Sequence, residues 1–449
     1  MLNIQRHLKK IFTNTSQPRY KILQHLIESQ YYSPEILKKI QLNKLNKLLS
    51  YSQGNVPYYS KMANERLSSK KSEPLFKRIE ELNKLPLLTK DIIRIQGKNL
   101  YSSEYKNRKP YQNTSGGSTG EPVKLIQDSE YYENSEAHFL LAQTWRKTDI
   151  FDSTIHLWGA ERDTFYGRKP LIDHLKDFLK NRIILNSFTM SDCNMIKYIN
   201  ILNKHKPKLI ISYAQSIYEL AKFARTNNFP VEKQNAVHTS ASTLYDFMRT
   251  EIEEIFSCKC FDHYGSREVG AIASECSAHD GLHVFTDNIF VEIVDKNGHP
   301  CPPGIEGEVI VTTLNNYSMP LIRYKIGDIG IIMGSDPCPC GCNYPKLQKV
   351  TGRSTESFKT SDGEIVDGEF FTHLFYHLDG IKQFQIIQQK HDEILVNIIE
   401  QGKINNKDLA AIENRIKDVM GSHCRVEYRL VRKIEKTATG KLLYTISNI

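Results

Sequence analysis

The amino-acid sequence predicts an α/β protein: a large N-terminal body of mixed sheets and helices with a β-rich subdomain, then a small α+β C-terminal domain. Three observations predict it. At 449 residues the chain exceeds what one hydrophobic core comfortably holds. Short apolar runs bounded by polar residues, Ile155-His156-Leu157-Trp158, Ile183-Ile184-Leu185 and Leu209-Ile210-Ile211, alternate with longer helical stretches, the texture of an α/β body. Between Phe290 and Met333 the partial alternation of Val291, Ile293, Val309, Val311 and Leu314, with a tight-turn Asn297-Gly298, reads as strands joined by turns.

The elements follow in order. Ser33-Pro34-Glu35 supplies an N-cap with proline at the first helical position, and Ile36, Leu37, Ile40, Leu45, Leu48 and Leu49 recur at helical spacing, so the first hundred residues are mostly helical. The α/β texture begins at Tyr111. After Gly352-Arg353 a new set of strands and helices starts and runs to the tail Thr439-Gly440-Lys441, which divides the chain into residues 1–352 and 353–449.

Composition narrows the functional classes. Apolar and charged fractions of 40% and 25% are those of a globular chain. The formal charge of +9 is spread among acids rather than gathered into a stripe, which argues against nucleic acid and suits a nucleotide substrate. No run of 18 or more apolar residues appears, so no transmembrane segment is expected. Met1 to Lys10 leads into a polar, Lys-rich segment, and a cytoplasmic placement is expected. Nine cysteines, an odd number without a secretion signal, speak against a disulfide framework.

The most informative segment is Thr114-Ser115-Gly116-Gly117-Ser118-Thr119-Gly120-Glu121-Pro122. Its glycines permit close backbone approach and its hydroxyls donate to phosphate oxygens. No Gly-Lys-Ser/Thr follows and the glycine spacing is not that of a dinucleotide fingerprint. By composition alone it reads equally as a flexible linker. A strand at Val123-Lys124-Leu125-Ile126 turns it into a phosphate-covering hairpin loop. Further on, His263-Tyr264-Gly265-Ser266-Arg267-Glu268, Arg323-Tyr324-Lys325-Ile326-Gly327-Asp328 and Gly352-Arg353 bring an aromatic, hydroxyls, acids and bases; singly, each is ordinary turn chemistry.

In order, these elements and Thr439-Gly440-Lys441 resemble the five motifs of the acyl-adenylate-forming (AMP-binding) superfamily, from about residue 86 to the C-terminus. Leu85-Pro86-Leu87-Leu88-Thr89-Lys90, Trp158-Gly159-Ala160-Glu161-Arg162-Asp163 and Arg267-Glu268-Val269-Gly270 resemble its phenylacetate-CoA-ligase-like branch, especially members from capsule and surface-polysaccharide loci. The resemblance implies an ATP-dependent ligase that activates a carboxylic acid as acyl-AMP and passes the acyl group to CoA or to an amine such as an amino-sugar. It also leaves room for a homodimer. Ser115, Gly116, Gly117, Ser118, Thr119 and Gly120 would hold the ATP phosphates. Tyr264, followed by Gly265 and Ser266, would stack on adenine, and Ser240, Ala241 and Ser242 would line the adenine side. Asp328 would grip the ribose and Glu268 would hold Mg²⁺. Lys441 and Arg353 would offset the charge that builds as a carboxylate attacks phosphorus. The hinge acid of the superfamily, two residues after the arginine, is here Thr355. The acyl pocket is not readable; Trp158, Tyr213 and His263 are guesses for its lining.

Cys338-Pro339-Cys340-Gly341-Cys342, about sixty residues beyond Cys276 and His283, brings soft donors in the number that favours tetrahedral zinc. Members of the branch resemble it in carrying a Cys and a His followed by Cys-x-Cys-Gly. The expected ligands of a structural Zn²⁺ are Cys276, His283, Cys338 and Cys340, with His279 and Cys342 as competitors. A nucleophilic pairing of His263 with Cys258 or Cys260 lacks a third orienting group, and core or pocket-lining roles are expected for them.

Overall fold

The computed structural model describes residues 17–66, 76–115, 123–149, 152–159, 181–187, 190–241, 243–351, 358–363, 365–366, 368–375, 378, 380–402, 404–435 and 443–449. The backbone divides into two units, residues 1–115, 123–150 and 263–352 in one, and 116–122, 151–262 and 353–449 in the other.

The first unit opens on helices Pro18–Ser29, Pro34–Asn55 and Pro57–Arg66. Ser33 caps the second of these, its Oγ accepting from the Ile36 N–H at 3.4 Å, with Pro34 at the first helical position. Leu37, Leu45, Leu48 and Leu49 are buried, whereas Ile36 faces solvent. Each fully buried leucine contributes about 2 kcal/mol. Leu37 joins one apolar core of the unit with Leu26, Leu141 and Phe285, while Leu45, Leu48 and Leu49 pack with Leu85, Leu88, Val309, Val311 and Tyr324 into another.

That core lies against antiparallel strands in the order Ile289–Val294, Glu306–Thr313, Tyr324–Ile332, Lys346–Thr351, Leu282–Val284, Gly270–Glu275 and the His263–Ser266 end of strand Lys259–Ser266. Gly298 sits at φ +83°, a left-handed turn that only glycine enters freely. A separate hairpin pairs Tyr111–Thr114 with Lys124–Gln127. Helix Ser129–Trp145 starts directly after it because Asp128 accepts from the Tyr131 N–H at 3.0 Å.

The second unit holds parallel strands in the order Arg182–Leu185, Thr154–Leu157, Leu209–Tyr213, Ala236–Ser240 and the Lys259–Asp262 end of Lys259–Ser266. Every residue of Leu209–Tyr213 is buried, which is why a parallel strand reads as a continuous apolar run. Helices Asp192–His205, Ala214–Thr226 and Asp246–Phe256 alternate with these strands. The same unit contains a four-stranded sheet ordered Arg425–Leu430, Glu393–Glu400, Ile381–Lys390 and Thr445–Ser447, with helix Asn406–Met420 capped by Asn405. Phe358, Phe370, Phe371, Phe384 and Ile416 form its core, to which Tyr213 adds its ring. Among the described residues no helix is long and apolar enough to cross a membrane.

Candidate adenylate site and metal centre

The strand Lys259–Ser266 ends in a turn that carries Glu268 and returns at Gly270. The turn is closely fitted. A Cβ on Gly265 would stand 2.7 Å from the Gly270 carbonyl oxygen, and Gly270, at φ +70°, has the Ser135 hydroxyl 2.5 Å from where its Cβ would be. Ser266 Oγ accepts from the Val269 N–H at 3.3 Å.

Glu268 is buried, and its carboxylate lies 3.7 Å from the equally buried ammonium of Lys90. A buried acid without a cation would carry a penalty of several kcal/mol, which Lys90 offsets. Lys90 begins a short helix capped by Thr89, and the segment before it is pinned to the strand that bears Asp328: the Leu88 N–H donates to Arg323 O and the Lys325 N–H to Leu88 O, both at 2.9 Å. The guanidinium of Arg323 completes the clamp by donating to the carbonyls of Asn83 (2.9 Å) and Leu85 (2.6 Å) and pairing with Glu292 at 2.9 Å. Arg323 is therefore committed to fold, and Glu292, pushed up by burial and drawn down by Arg323, belongs to the same buried pair.

The hairpin grips the Glu268 turn from another direction. Gln127 Nε2 donates to the carbonyls of Arg267 (2.8 Å) and Glu268 (3.1 Å), and Asn113 Nδ2 donates to Arg267 O at 3.1 Å. The same hairpin is closed at Ser115: its N–H donates to Val123 O and its Oγ accepts from the Val123 N–H, both at 3.0 Å. Ser115 thus forms one post of the predicted phosphate loop. Gly116, Gly117, Ser118, Thr119 and Gly120 lie outside the described residues, as do Ser242, Arg353, Thr355 and Lys441. Ala241 follows strand Ala236–Ser240 at φ +68° in the second unit.

Tyr264 and Asp328 come together although 64 positions apart: the phenol donates to Asp328 Oδ2 at 2.8 Å. One aromatic face, one acid and the Glu268 turn therefore stand on neighbouring segments of one unit. Three residues that hold this arrangement, Lys90, Asn113 and Gln127, had no role in the sequence reading; only the motif Leu85–Lys90 hinted at the first.

The guessed acyl-pocket residues are placed differently. His263 is buried between Phe139 and Phe285, ring centroids 5.8 and 6.3 Å away, and burial together with Arg146 lowers its pKa to about 3. Tyr213 donates to Gly159 O at 2.8 Å and packs 4.2 Å from Trp158, its ring taken up by the C-terminal core. Burial, helped by Glu253, pushes the Cys258 thiol up to about 12, and Cys260 is buried; neither is an activated nucleophile.

The soft donors converge. The ligand atoms of Cys276, His283, Cys338 and Cys340 all lie within 4.8 Å of one another. Cys276 Sγ is 3.6 Å from Cys338 Sγ, and Cys340 Sγ is 3.4 Å from His283 Nε2. Thiolate and imidazole donors around a tetrahedral zinc stand about 3.6–3.8 Å apart, so the set fits that ion. His283 Nδ1 faces Tyr344 O at 3.2 Å, which directs Nε2 to the sulfurs. The N–H groups of Ala278 and Cys342 point at Cys276 Sγ and Cys340 Sγ, each at 3.4 Å, and Gly341, at φ +81°, turns the Cys338–Cys342 loop. His279 instead faces Glu275. All four donors belong to the antiparallel unit, and the loop is stitched to its N-terminal helices: the Asn343 N–H donates to Gln30 O at 2.8 Å, and Trp145, stacked on Phe285 beside His283, donates to Gln30 Oε1 at 2.8 Å.

Residues 358–448 match the CapK C-terminal domain. Along its whole length the chain is 25% identical to Protein CapK of Staphylococcus aureus, all of which is covered. It is 23% identical to a phenylacetate-coenzyme A ligase of Thermus thermophilus over 72% of this chain and 74% of that one. Its fold is that of 2-hydroxyisobutyryl-CoA ligase in complex with 2-HIB-AMP and CoA in the thioesterification state, with a TM-score of 0.60 at 18% identity, covering 94% of this chain and 92% of the other. With the motif order and geometry above, these likenesses define an acyl-adenylate-forming fold. Within that fold the chain is similar to CapK along its whole length and to phenylacetate-coenzyme A ligases over 72% of it.

Proposed function

We propose that the chain is an ATP-dependent, AMP-forming ligase that activates a carboxylic acid as acyl-AMP and transfers the acyl group to CoA or an amine. The observation that carries this reading is the joining of Tyr264 to Asp328 at 2.8 Å on segments fixed to the buried Glu268 turn, itself gripped by the hairpin closed at Ser115. Tyr264 offers its face to adenine and Asp328 its free oxygen to the ribose. Residues Ser115 to Gly120 cover the phosphates. Ala241 and Ser242 line the nucleotide. Glu268 is the carboxylate that would hold Mg²⁺, whose charge neutralises the departing pyrophosphate.

Lys441 and Arg353 supply fixed positive charge where substrate carboxylate and α-phosphate meet. On this reading residues 353–449 form a mobile domain that brings Lys441 in for adenylation and withdraws it for transfer. Cys276, His283, Cys338 and Cys340 hold a structural zinc, closed by four protein ligands and therefore without an open catalytic position. The location proposed is the cytoplasm, where ATP is available. Full-length similarity to a capsule-locus protein favours an acceptor from surface-polysaccharide assembly, such as an amino-sugar, as the second reading. A zinc-holding binding protein without catalysis is the reading these residues favour least, since Glu268, Asp328 and Lys441 are all retained.

Screening carboxylic acids for ATP-dependent pyrophosphate release, with and without CoA, tests the proposal. Release that depends on one class of acid is expected. Oligonucleotide binding that weakens with salt, with no ATP turnover for any acid, would support the non-catalytic reading instead.

A further inference from the structure

The C-terminal sheet carries a cleft whose described lining includes none of the residues assigned to adenylation. It encloses about 400 Å³, within the size range of small-molecule sites. Ile399 and the buried Ile434 form its floor, and Lys382, Arg432, Lys433 and Glu435 its rim. Lys382 is not an ordinary strand lysine. The pairing of Ile381–Lys390 with Glu393–Glu400 steps from Ile381↔Glu400 to Gln383↔Ile399, so Lys382 is the extra residue of a bulge, a device that re-aims a side chain. The opposite wall is fixed where the Val431 N–H donates to Ile398 O at 2.9 Å, just before Arg432.

Three cations therefore meet one carboxylate around an apolar floor. Lys433 is paired with Glu435 at 3.0 Å. Among the described residues neither Lys382 nor Arg432 has an acidic partner. Like charges gathered at a concavity repel one another unless an anion joins them, and the low-dielectric floor strengthens the attraction for that anion. Arginine's planar fork suits the paired oxygens of a phosphate, and lysine supplies a point charge beside it.

We propose that this cleft binds the phosphate of the acyl acceptor. The identity of the ligand rests on the ligase reading above; the preference for phosphate rests on the cleft itself. CoA and a nucleotide-linked amino-sugar share the required chemistry, a phosphorylated nucleotide attached to the group that receives the acyl chain. Either would be tethered at the cleft by its phosphate.

The test uses the full chain and titrates CoA and UDP-glucosamine in parallel into wild type and the Lys382→Gln/Arg432→Gln variant. At least one of the two is expected to bind wild type, to bind the variant about tenfold more weakly or worse, the scale of a lost charge-assisted contact, and to lose affinity as salt rises. The arm that responds names the acceptor class. Lys382→Arg alone is expected to keep binding, because it preserves both charges and the fork of Arg432. Equal affinity of wild type and the Gln variant for both ligands, or no binding of either by wild type, overturns the proposal. The thermal shift produced by ATP with Mg²⁺ is recorded on the same samples. Its presence in the Gln variant shows a folded protein, and its absence from wild type counts against the ligase reading separately from the cleft.

Discussion

The proposed metal knot and the proposed nucleotide elements grow from the same antiparallel unit, yet they are finished in opposite ways. Around Cys276, His283, Cys338 and Cys340 three of the four donors are held by a backbone neighbour: N–H groups meet two of the sulfurs and Tyr344 O fixes the imidazole, while Asn343 ties the loop, and Trp145 the helix beside His283, to Gln30. Around Tyr264, Glu268 and Asp328 the side chains meet one another or a cation, Tyr264 on Asp328 and Glu268 on Lys90, while Gln127, Asn113 and Arg323 hold the backbone behind them and Asp328 stays half-buried. A closed site of soft donors suits a permanent ion that adds to stability. An open one, with its acids braced from behind, suits a substrate that comes and goes.

The difference can be broken by mutation, and the largest effect is expected at the knot. Cys338→Ser with Cys340→Ser should abolish zinc binding, which is expected at about one equivalent per chain in wild type, and cost about 4 kcal/mol or more in denaturant unfolding, because binding energy at a closed site is folding energy. Chemistry per folded molecule should change far less. Freshly purified wild type without zinc would remove the metal from the account.

Next comes Lys441→Ala, with acyl-AMP formation expected to fall roughly 10²-fold, the scale of losing one preorganised charge-stabilising donor, and transfer from supplied acyl-AMP largely kept. Equal loss in both half-reactions would point to damaged folding. No loss in either would make the residue part of a solvated tail.

The smallest effect is expected at Glu268→Gln. It keeps the shape of the turn and leaves the zinc untouched, but should weaken the rise in thermal midpoint given by ATP with Mg²⁺, which reflects mass action of a ligand bound only by the folded state. An unchanged rise would take Glu268 out of the metal's reach and blur the distinction between the two regions.

Legibility in the sequence followed the range of the interactions. The Ser33-Pro34 cap and the three parallel strands were readable because local propensity and pattern decide them. The four soft donors stood out by residue type, but only tertiary placement separated His283 from His279 and Cys340 from Cys342. Arg323 read as a base beside Asp328; it is a buried clamp whose partners lie some 240 positions earlier in the chain. Gln127 reaches the Glu268 turn across 141 positions, and no window along the sequence contains that contact. The resemblance to a family supplied the roles, and the geometry supplied the braces.

The central claim, that a carboxylate of the substrate attacks the α-phosphorus of ATP, can be read from the fate of one atom. With an acid found by the pyrophosphate screen and labelled with ¹⁸O in its carboxylate, the reaction is run to completion with the acceptor and the nucleotide products are weighed by mass spectrometry. Attack at the α-phosphorus leaves one labelled oxygen in AMP and none in pyrophosphate. Label in inorganic phosphate, with ADP as the nucleotide product, would mean an acyl-phosphate route and contradict the account.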